Sequence, residues 1–197
     1  MRHTLAALSV VVPAACGGAP PSPTDAGSTA DGGCDASRTP AEDACVLDEA
    51  FGVFVSRALG MADGGGSRAR PLATAAAGLN AAHLKHKRVY LCTEEYPEAV
   101  TLAPGDSIFG GLDCSGGWRV GTFRARLRAP TSPAVTARDL PSKTVLDSVE
   151  IIAPDAAEPG TSSIGVMAVD APSLELSNAT FTSGRAAAGI PGAMAHS

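Results

Sequence analysis

The chain has 197 residues, of which 45% are hydrophobic, 18% charged and 4% aromatic, and its formal net charge is −5. An acidic chain without a basic block is not expected to bind nucleic acid. No apolar run reaches the roughly 18 residues that a membrane-spanning helix needs. The 22 glycines and 15 prolines favour a turn-rich β-protein over a compact helical enzyme.

Residues 1–16, "MRHTLAALSVVVPAAC", have a short basic start, an apolar stretch and small residues before Cys16. This order is typical of a secretory signal peptide. It also resembles a bacterial lipoprotein signal, which implies export and a lipid attached to Cys16. Pro13 departs from the usual pattern, so a plain signal peptide with an incidental cysteine is the alternative. We predict a lipid-anchored protein of the outer membrane or cell surface.

Residues 17–50 read as a low-complexity tether that carries one small disulfide loop. Its first part, 17–33, has no large apolar side chain. Such a segment cannot bury enough surface to offset its ordering entropy, so we expect it to be disordered. A tether directly after Cys16 would hold a folded domain clear of the membrane.

Four cysteines remain beyond Cys16, an even number in a chain with an export signal, which indicates disulfides. Of the three possible pairings we favour Cys34 with Cys45 and Cys92 with Cys114. Zinc is the competing use of these residues, but the chain has no C-x-x-C and the expected compartment is oxidising. We therefore predict no metal and no cofactor.

The body of the chain begins with an alternating run, "FGVFVS", from Phe51. A glycine-rich loop follows, and then one helix is predicted over residues 71–88, with Pro71 in its first turn and Gly78 weakening its centre. From Val89 onward the runs are short and extended, and each is bounded by Gly, Pro, Asp or Ser. They read "RVYLC", "EAVTL", "SIFGGL", "FRARLRA", "AVTARD", "TVLDSVEIIA", "IGVMAV" and "SLELSNATFTS".

Two of these runs superimpose, "LDSVEIIAP" from Leu146 and "LSNATFTSG" from Leu176. A repeat of about 30 residues made of short strands indicates a β-solenoid. A coil of a parallel β-helix uses about 20 or more residues, and equivalent residues of successive coils stack roughly 4.8 Å apart. Their offset of 22 residues would therefore place Cys92 and Cys114 on neighbouring coils, within bridging reach. We expect the bulky positions of the strands to point inward: Val89, Leu91, Val100, Leu102, Ile108, Val145, Ile151, Val166 and Phe181.

The stretch "DGGGSRARPLATAAAGLNAAHLKHKRVYLCTEEYPEAVTLAPGDSIFGGLDC" resembles the N-terminal part of right-handed parallel β-helix proteins of the pectin-lyase-like superfamily. More narrowly, it is similar to surface lipoproteins that myxobacteria carry in many copies. The matching residues are Gly66, Ser67, Arg70, Pro71, Ala73, Thr74, 88–92, 96–102 and 110–114.

The resemblance implies an all-β fold, a short right-handed parallel β-helix of about four coils over residues 51–192. Its helix would cover the N-terminal end of the solenoid and shield the strand edges there. Relatives of this kind continue further, so we expect the tail, 193–197, to be truncated. A different all-β fold, such as a sandwich, is the alternative.

Three arginines alternate in "FRARLR", which would place Arg124, Arg126 and Arg128 on one outer face as a contact for an anionic glycan. Trp118 and Tyr96 could stack on sugar rings. The alternatives are an ordinary solvated strand face for the arginines and a loop-packing role for Trp118.

Two further sets of polar residues are candidate functional groups. Asp139, Asp147, Glu150 and Asp170 lie on or beside strands and could serve acid–base chemistry or bind calcium, as in polysaccharide lyases and hydrolases. His83 and His86 share a helix face as metal ligands do, although surface and dipole-capping roles fit them as well.

These features predict an exported, membrane-anchored surface lipoprotein. Its β-helix would have a structural or adhesive role without catalysis, touching an extracellular polysaccharide or a cell-surface protein. The alternative is a remnant of a polysaccharide-active β-helix.

Overall fold

The computed structural model describes residues 34–190 and 192. The predicted signal with Cys16, the first part of the tether and the tail at 193–197 lie outside these residues. Within the described residues, the chain from Cys34 forms one compact unit. Among the described residues, no helix has the length and apolar character needed to cross a bilayer.

Thirteen strands, one α-helix and one 3-10 helix make up the described chain. The 3-10 helix is Ala44–Val46, and the α-helix, α1, is Ala75–Lys85. The strands are β1 (Gly52–Val55), β2 (Arg88–Cys92), β3 (Glu95–Tyr96), β4 (Val100–Leu102), β5 (Ser107–Asp113), β6 (Arg119–Val120), β7 (Ala125–Arg128), β8 (Val135–Arg138), β9 (Thr144–Asp147), β10 (Val149–Ile152), β11 (Val166–Val169), β12 (Leu174–Ser177) and β13 (Thr180–Thr182).

The strands form three sheets, and the all-β class is confirmed. Sheet A has the order β1-β2-β5-β9-β12, with β6 paired to β5. Sheet B has the order β13-β10-β7-β3, and sheet C has the order β11-β8-β4. Every pairing is parallel except the one between β5 and β6.

From β2 onward the chain visits sheets A, B and C in turn, and we call each such passage a circuit. The first three circuits are β2-β3-β4, β5-β7-β8 and β9-β10-β11, and the fourth begins with β12-β13. Each circuit adds one strand to each sheet, next to the strand added by the circuit before it. Extended, strand-length runs separated by turn residues are suited to this path because the chain must change direction at every sheet.

The repeat found in the sequence is a structural repeat. Leu146 pairs with Leu176 between β9 and β12, and Ile151 pairs with Phe181 between β10 and β13. The corner residues between these strands, Ser148 and Asn178, both have left-handed backbones, with φ of 55° and 48°. Equivalent positions of the repeat therefore share both strand register and corner conformation.

Both predicted disulfides are confirmed. Cys34 and Cys45 are joined, with 5.8 Å between their Cα atoms, and Cys92 and Cys114 are joined, with 5.6 Å between theirs. Cys92 lies opposite Leu112 in the register of β2 and β5, so Cys114 reaches it from just beyond the end of β5.

The main core lies between the three sheets. Most of the expected inward residues belong to it: Val89, Leu91, Val100, Leu102, Ile108 and Ile151. Val166 is partly buried and packs against this core. Two expectations differ from the structure. Val145 packs in a second cluster with Tyr90, because Leu146 takes the core position of β9. Phe181 is 52% exposed, because β13 is an edge strand of sheet B.

Helix α1 packs against the same core through Ala75, Leu79 and Ala82. It begins at Ala75 instead of near Pro71, since the preceding residues pair with β1: the Leu72 N–H donates to the Phe54 carbonyl at 3.0 Å, and the Ser56 N–H donates to the Leu72 carbonyl at 2.9 Å. The free edge of β1 is thereby occupied, which protects it from pairing with other chains.

The second cluster, on sheet A, brings residues 34–50 into the compact unit. Val46 and Leu47 are buried, and the Tyr90 hydroxyl donates to the Val46 carbonyl. The Arg88 guanidinium donates to the Arg38 carbonyl at 2.6 Å. Residues 34–50 therefore belong to the compact unit, which starts at Cys34.

Candidate functional site

An open groove of about 500 Å³ crosses sheet B beside the corner that follows β5. We call it the sheet-B groove. It is lined by Glu95, Phe123, Arg124, Arg126, Glu150 and Thr180, among others. Strands β3, β7 and β10 are neighbours in sheet B, so Glu95, Arg126 and Glu150 occupy paired positions on three consecutive strands.

An ion-pair ladder runs along this row. Arg126 Nη1 lies 3.3 Å from Glu95 Oε2, and Arg126 Nε lies 3.1 Å from Glu150 Oε2. Arg128 Nε lies 3.0 Å from the same oxygen of Glu95. Arg126 and Arg128 are two residues apart on β7, so both project from the same side of the sheet, as their alternation predicts.

The ladder holds Glu95 in its ionised form. Hydrogen bonding from Arg128, aided by the charges of Arg128, Arg126 and Arg57, lowers the pKa of Glu95 below its ordinary value. All of the ladder side chains remain partly exposed, at 31% to 47%. The groove therefore presents fixed, partly solvated carboxylates and guanidiniums, whose planar donor and acceptor pairs suit vicinal hydroxyl and carboxylate groups.

Arg124, the third predicted arginine, lies just before β7 and also lines the groove. Its Nε donates to the Asn178 carbonyl at the corner between β12 and β13. Within the described part of the chain it has no carboxylate partner at ion-pair distance. The structure thus brings Arg124, Arg126 and Arg128 to one region of sheet B.

The two aromatic residues suggested for sugar stacking, Trp118 and Tyr96, are buried. Trp118 is 6% exposed and meets the Phe54 ring edge-on, with 4.8 Å between the centroids. Its side chain therefore anchors its own loop against the domain. Tyr96 is fully buried, and its hydroxyl donates to the Val55 carbonyl at 3.1 Å. That burial raises its pKa. Neither ring offers a face to a ligand.

The groove has an aromatic residue that sequence reasoning missed. Phe123 is 74% exposed and stands at the junction of the sheet-B groove with a neighbouring groove of about 600 Å³. The second groove is lined by Leu59, Val120 and the Cys92–Cys114 disulfide, among others. The only sequence signal was a phenylalanine directly preceding the alternating arginines.

The remaining candidate carboxylates do not form one cluster, although Asp139 and Asp170 line one open pocket apart from the sheet-B groove. Glu150 lies in the ladder, whereas Asp147 is buried and accepts a hydrogen bond from Ser148 Oγ at 2.6 Å. Asp139 and Asp170 have left-handed backbones, which identifies them as turn residues that follow β8 and β11. They contribute nothing to the groove.

The two helix histidines also serve local structure. His83 Nδ1 lies 3.3 Å from Asp106 Oδ1, and His86 ends α1 with a left-handed backbone of φ 52°. Within residues 34–190 and 192, no group of three or more His, Cys, Asp or Glu side chains is arranged to hold a metal ion.

The chain matches no protein-family model, no curated protein and no solved structure.

Proposed function

We propose that the described domain is a short right-handed parallel β-helix of the pectin-lyase-like kind, with α1 covering its N-terminal end. Three observations support this: the repeated visit to sheets A, B and C, the parallel pairing of successive circuits, and the packing of α1 on the core. Right-handed crossovers account for about 98% of parallel β connections within a sheet, which supports the handedness.

We further propose that the protein is an exported surface lipoprotein, anchored by lipid on Cys16, whose β-helix contacts glycans without catalysis. The signal-like sequence of residues 1–16 supports export. The two disulfides agree with an oxidising compartment. In this arrangement the tether carries the domain away from the membrane, and the groove meets an extracellular polysaccharide.

The observation that carries the glycan-contacting role is the Glu95–Arg126–Glu150 ladder in the open groove. Fixed carboxylate and guanidinium groups on neighbouring strands offer several hydrogen-bond donors and acceptors to a hydroxyl-rich ligand. A general acid needs a raised pKa, but arginines lower that of Glu95. The ladder therefore suits binding better than acid–base catalysis.

A polysaccharide-lyase or hydrolase remnant is the second candidate. One observation favours it, since two carboxylates, Glu95 and Glu150, converge with Arg126 in one groove. Such a triad has the residue types that glycan-cleaving sites use.

Binding and turnover of the full chain separate these functions. We expect the wild type to bind at least one member of a panel of cello-, chito- and galacturonate oligosaccharides and sulfated galactan, and to release no products from it. Arg126→Ala should weaken that binding at least fivefold. Lys143→Ala, which removes an ion pair on sheet A with Glu175, is the matched control and should bind normally.

Failure of the wild type to bind any glycan of the panel would refute the proposed contact. Release of new reducing ends or unsaturated sugars, at a rate lost in Glu150→Gln, would instead establish the enzymatic alternative. The anchor is tested separately: Cys16→Ser should abolish fatty-acid labelling and move the protein out of the membrane fraction. Unchanged labelling of that variant would refute lipidation at Cys16.

A further inference from the structure

The connection between sheets A and B is unusually long in the second circuit. In the first, third and fourth circuits it consists of residues 93–94, 148 and 178–179, whereas in the second it runs from 114 to 124 and includes β6. We call this segment the 114–124 loop. Stacked circuits need only a tight corner here, so the extra residues have no role in closing the circuit. Long loops on a rigid scaffold commonly carry function.

The 114–124 loop is fastened to the scaffold at several points. Cys114 is bonded to Cys92 of β2, and Trp118 packs against Phe54. The Gly121 N–H donates to the Gly111 carbonyl at 2.7 Å, and β6 pairs with the end of β5. A loop held in this way loses little conformational entropy when a ligand binds it, so it is pre-organised.

The loop uses its two aromatic residues in opposite ways. Trp118 is 6% exposed and serves as its internal anchor, whereas Phe123 is 74% exposed at the edge of the sheet-B groove. Phe123 is followed directly by Arg124, which has no carboxylate partner among the described residues and keeps terminal guanidinium donors for a ligand. The exposed Phe123 ring thus lies beside the terminal guanidinium donors of Arg124 and the ion-pair ladder.

We propose that Phe123 is the platform on which the apolar face of a sugar ring stacks, while Arg124 and Arg126 donate hydrogen bonds to the substituents at the ring's edge. This inference rests on the proposed glycan-contacting function. One face of a pyranose ring presents C–H groups with partial positive charge, which are attracted to the negative face of an aromatic ring. The same ring has polar groups around its edge, so it needs the pairing of aromatic face and planar charges that the groove provides.

The test compares phenylalanine variants of the full chain by their affinity for the oligosaccharide that the wild type binds best. Phe123→Ala should weaken binding about tenfold, and Phe123→Trp should keep or strengthen it because the larger ring retains a stacking face. Phe123→Leu keeps apolar bulk without an aromatic face and should bind almost as weakly as Phe123→Ala. Phe181→Ala removes another exposed phenylalanine, on β13, that does not line the groove, and should bind normally.

Thermal melting of each variant checks that folding is intact. Equal affinity of Phe123→Ala and the wild type would overturn the inference while leaving the glycan-contacting function in place. Full affinity of Phe123→Leu would also overturn it, because apolar bulk would then suffice. If the wild type binds none of the oligosaccharides, or binds only an apolar peptide at this surface, both the inference and the proposed function fail.

Discussion

Gly78 shows at the level of one residue how α1 can lie so close to the sheets. A Cβ atom at this position would lie 2.5 Å from Val55 Cγ2 and 3.2 Å from Val89 Cγ1. Both valines are buried, and β-branched side chains have little rotamer freedom with which to move away. Gly78 lowers the helix propensity of this segment, but its missing side chain allows α1 to pack closely against these two valines.

We predict that Gly78→Ala lowers the free energy of unfolding by about 1–2 kcal/mol. Overpacking costs about 1–3 kcal/mol, which outweighs the roughly 1 kcal/mol gained from the better helix propensity of alanine. Urea denaturation measures the difference. Gly65→Ala is the control, since no atom lies within 4 Å of its added Cβ, and it should change stability by less than about 0.5 kcal/mol. A more stable Gly78→Ala would show that the helix has room at this point.

Glu95 makes the folding stability of the domain depend on pH. Its pKa in the folded protein lies below the ordinary value of 4.5, chiefly because Arg128 hydrogen-bonds the carboxylate. A lowered pKa means that the ionised form favours folding, so the contribution is fully present above about pH 4.5 and is lost as the pH falls through the lower, folded-state pKa.

We therefore predict that Glu95→Gln is less stable than the wild type at pH 7 and that the difference shrinks toward pH 3. Melting temperatures across this range measure it. Glu158→Gln is the control, because Glu158 makes no side-chain ion pair within the described residues. If the melting temperatures of Glu95→Gln and the wild type differ by the same amount from pH 7 to pH 3, the lowered pKa of Glu95 is contradicted.

At the scale of elements, the start of α1 is held by a residue from the first circuit. Glu98 accepts hydrogen bonds from the Ala75 and Ala76 N–H groups, both at 2.9 Å, and Thr74 Oγ1 accepts one from the Ala77 N–H at 3.1 Å. These are N–H groups without partners inside the helix. The negative charge also lies at the positive end of the helix dipole.

We predict that Glu98→Ala destabilises the domain by about 1–2 kcal/mol and that Thr74→Ala costs about 1 kcal/mol. Chemical denaturation followed by circular dichroism measures both changes. Glu158→Ala, an exposed glutamate outside the helix, should have little effect. If Glu98→Ala and Glu158→Ala have the same stability, α1 is positioned by its apolar face alone.

At the scale of the whole molecule, stability is expected to decline along the stack. Each strand pairs only with its neighbours in the same sheet, and α1 packs at the first circuits. The strands β9 and β10 are largely buried, whereas β12 is partly exposed and β13 is exposed. In a domain built from such layers, each layer is stabilised mainly by the layers beside it. The layers at one end can therefore unfold while the rest stay folded.

We predict that amides of residues 144–152 exchange with solvent much more slowly than those of residues 174–182, because the latter lie on edge strands of sheets A and B. Hydrogen exchange followed by mass spectrometry compares the two segments within one sample, and β2 provides a well-buried reference. Equal protection of both segments would show that the four circuits open as one cooperative unit.

The sequence by itself determined the local features of this protein. Alternating apolar residues and turn residues define the strands, and the Leu146 and Leu176 runs define the register between β9 and β12. The cysteine spacing led to both disulfides. These features join residues that are close in sequence or one circuit apart, so pattern reasoning reaches them.

Only the tertiary structure decided which side chains meet across circuits. The connections between sheets A and B differ in length, from residue 148 alone to the whole of 114–124, so the register of one circuit does not give that of the next. For this reason the burial of Trp118, the exposure of Phe123 and the capping of α1 by Glu98 could not be read from spacing. The groove exists because the fold places Glu95, Arg126 and Glu150, distant in sequence, side by side on neighbouring strands.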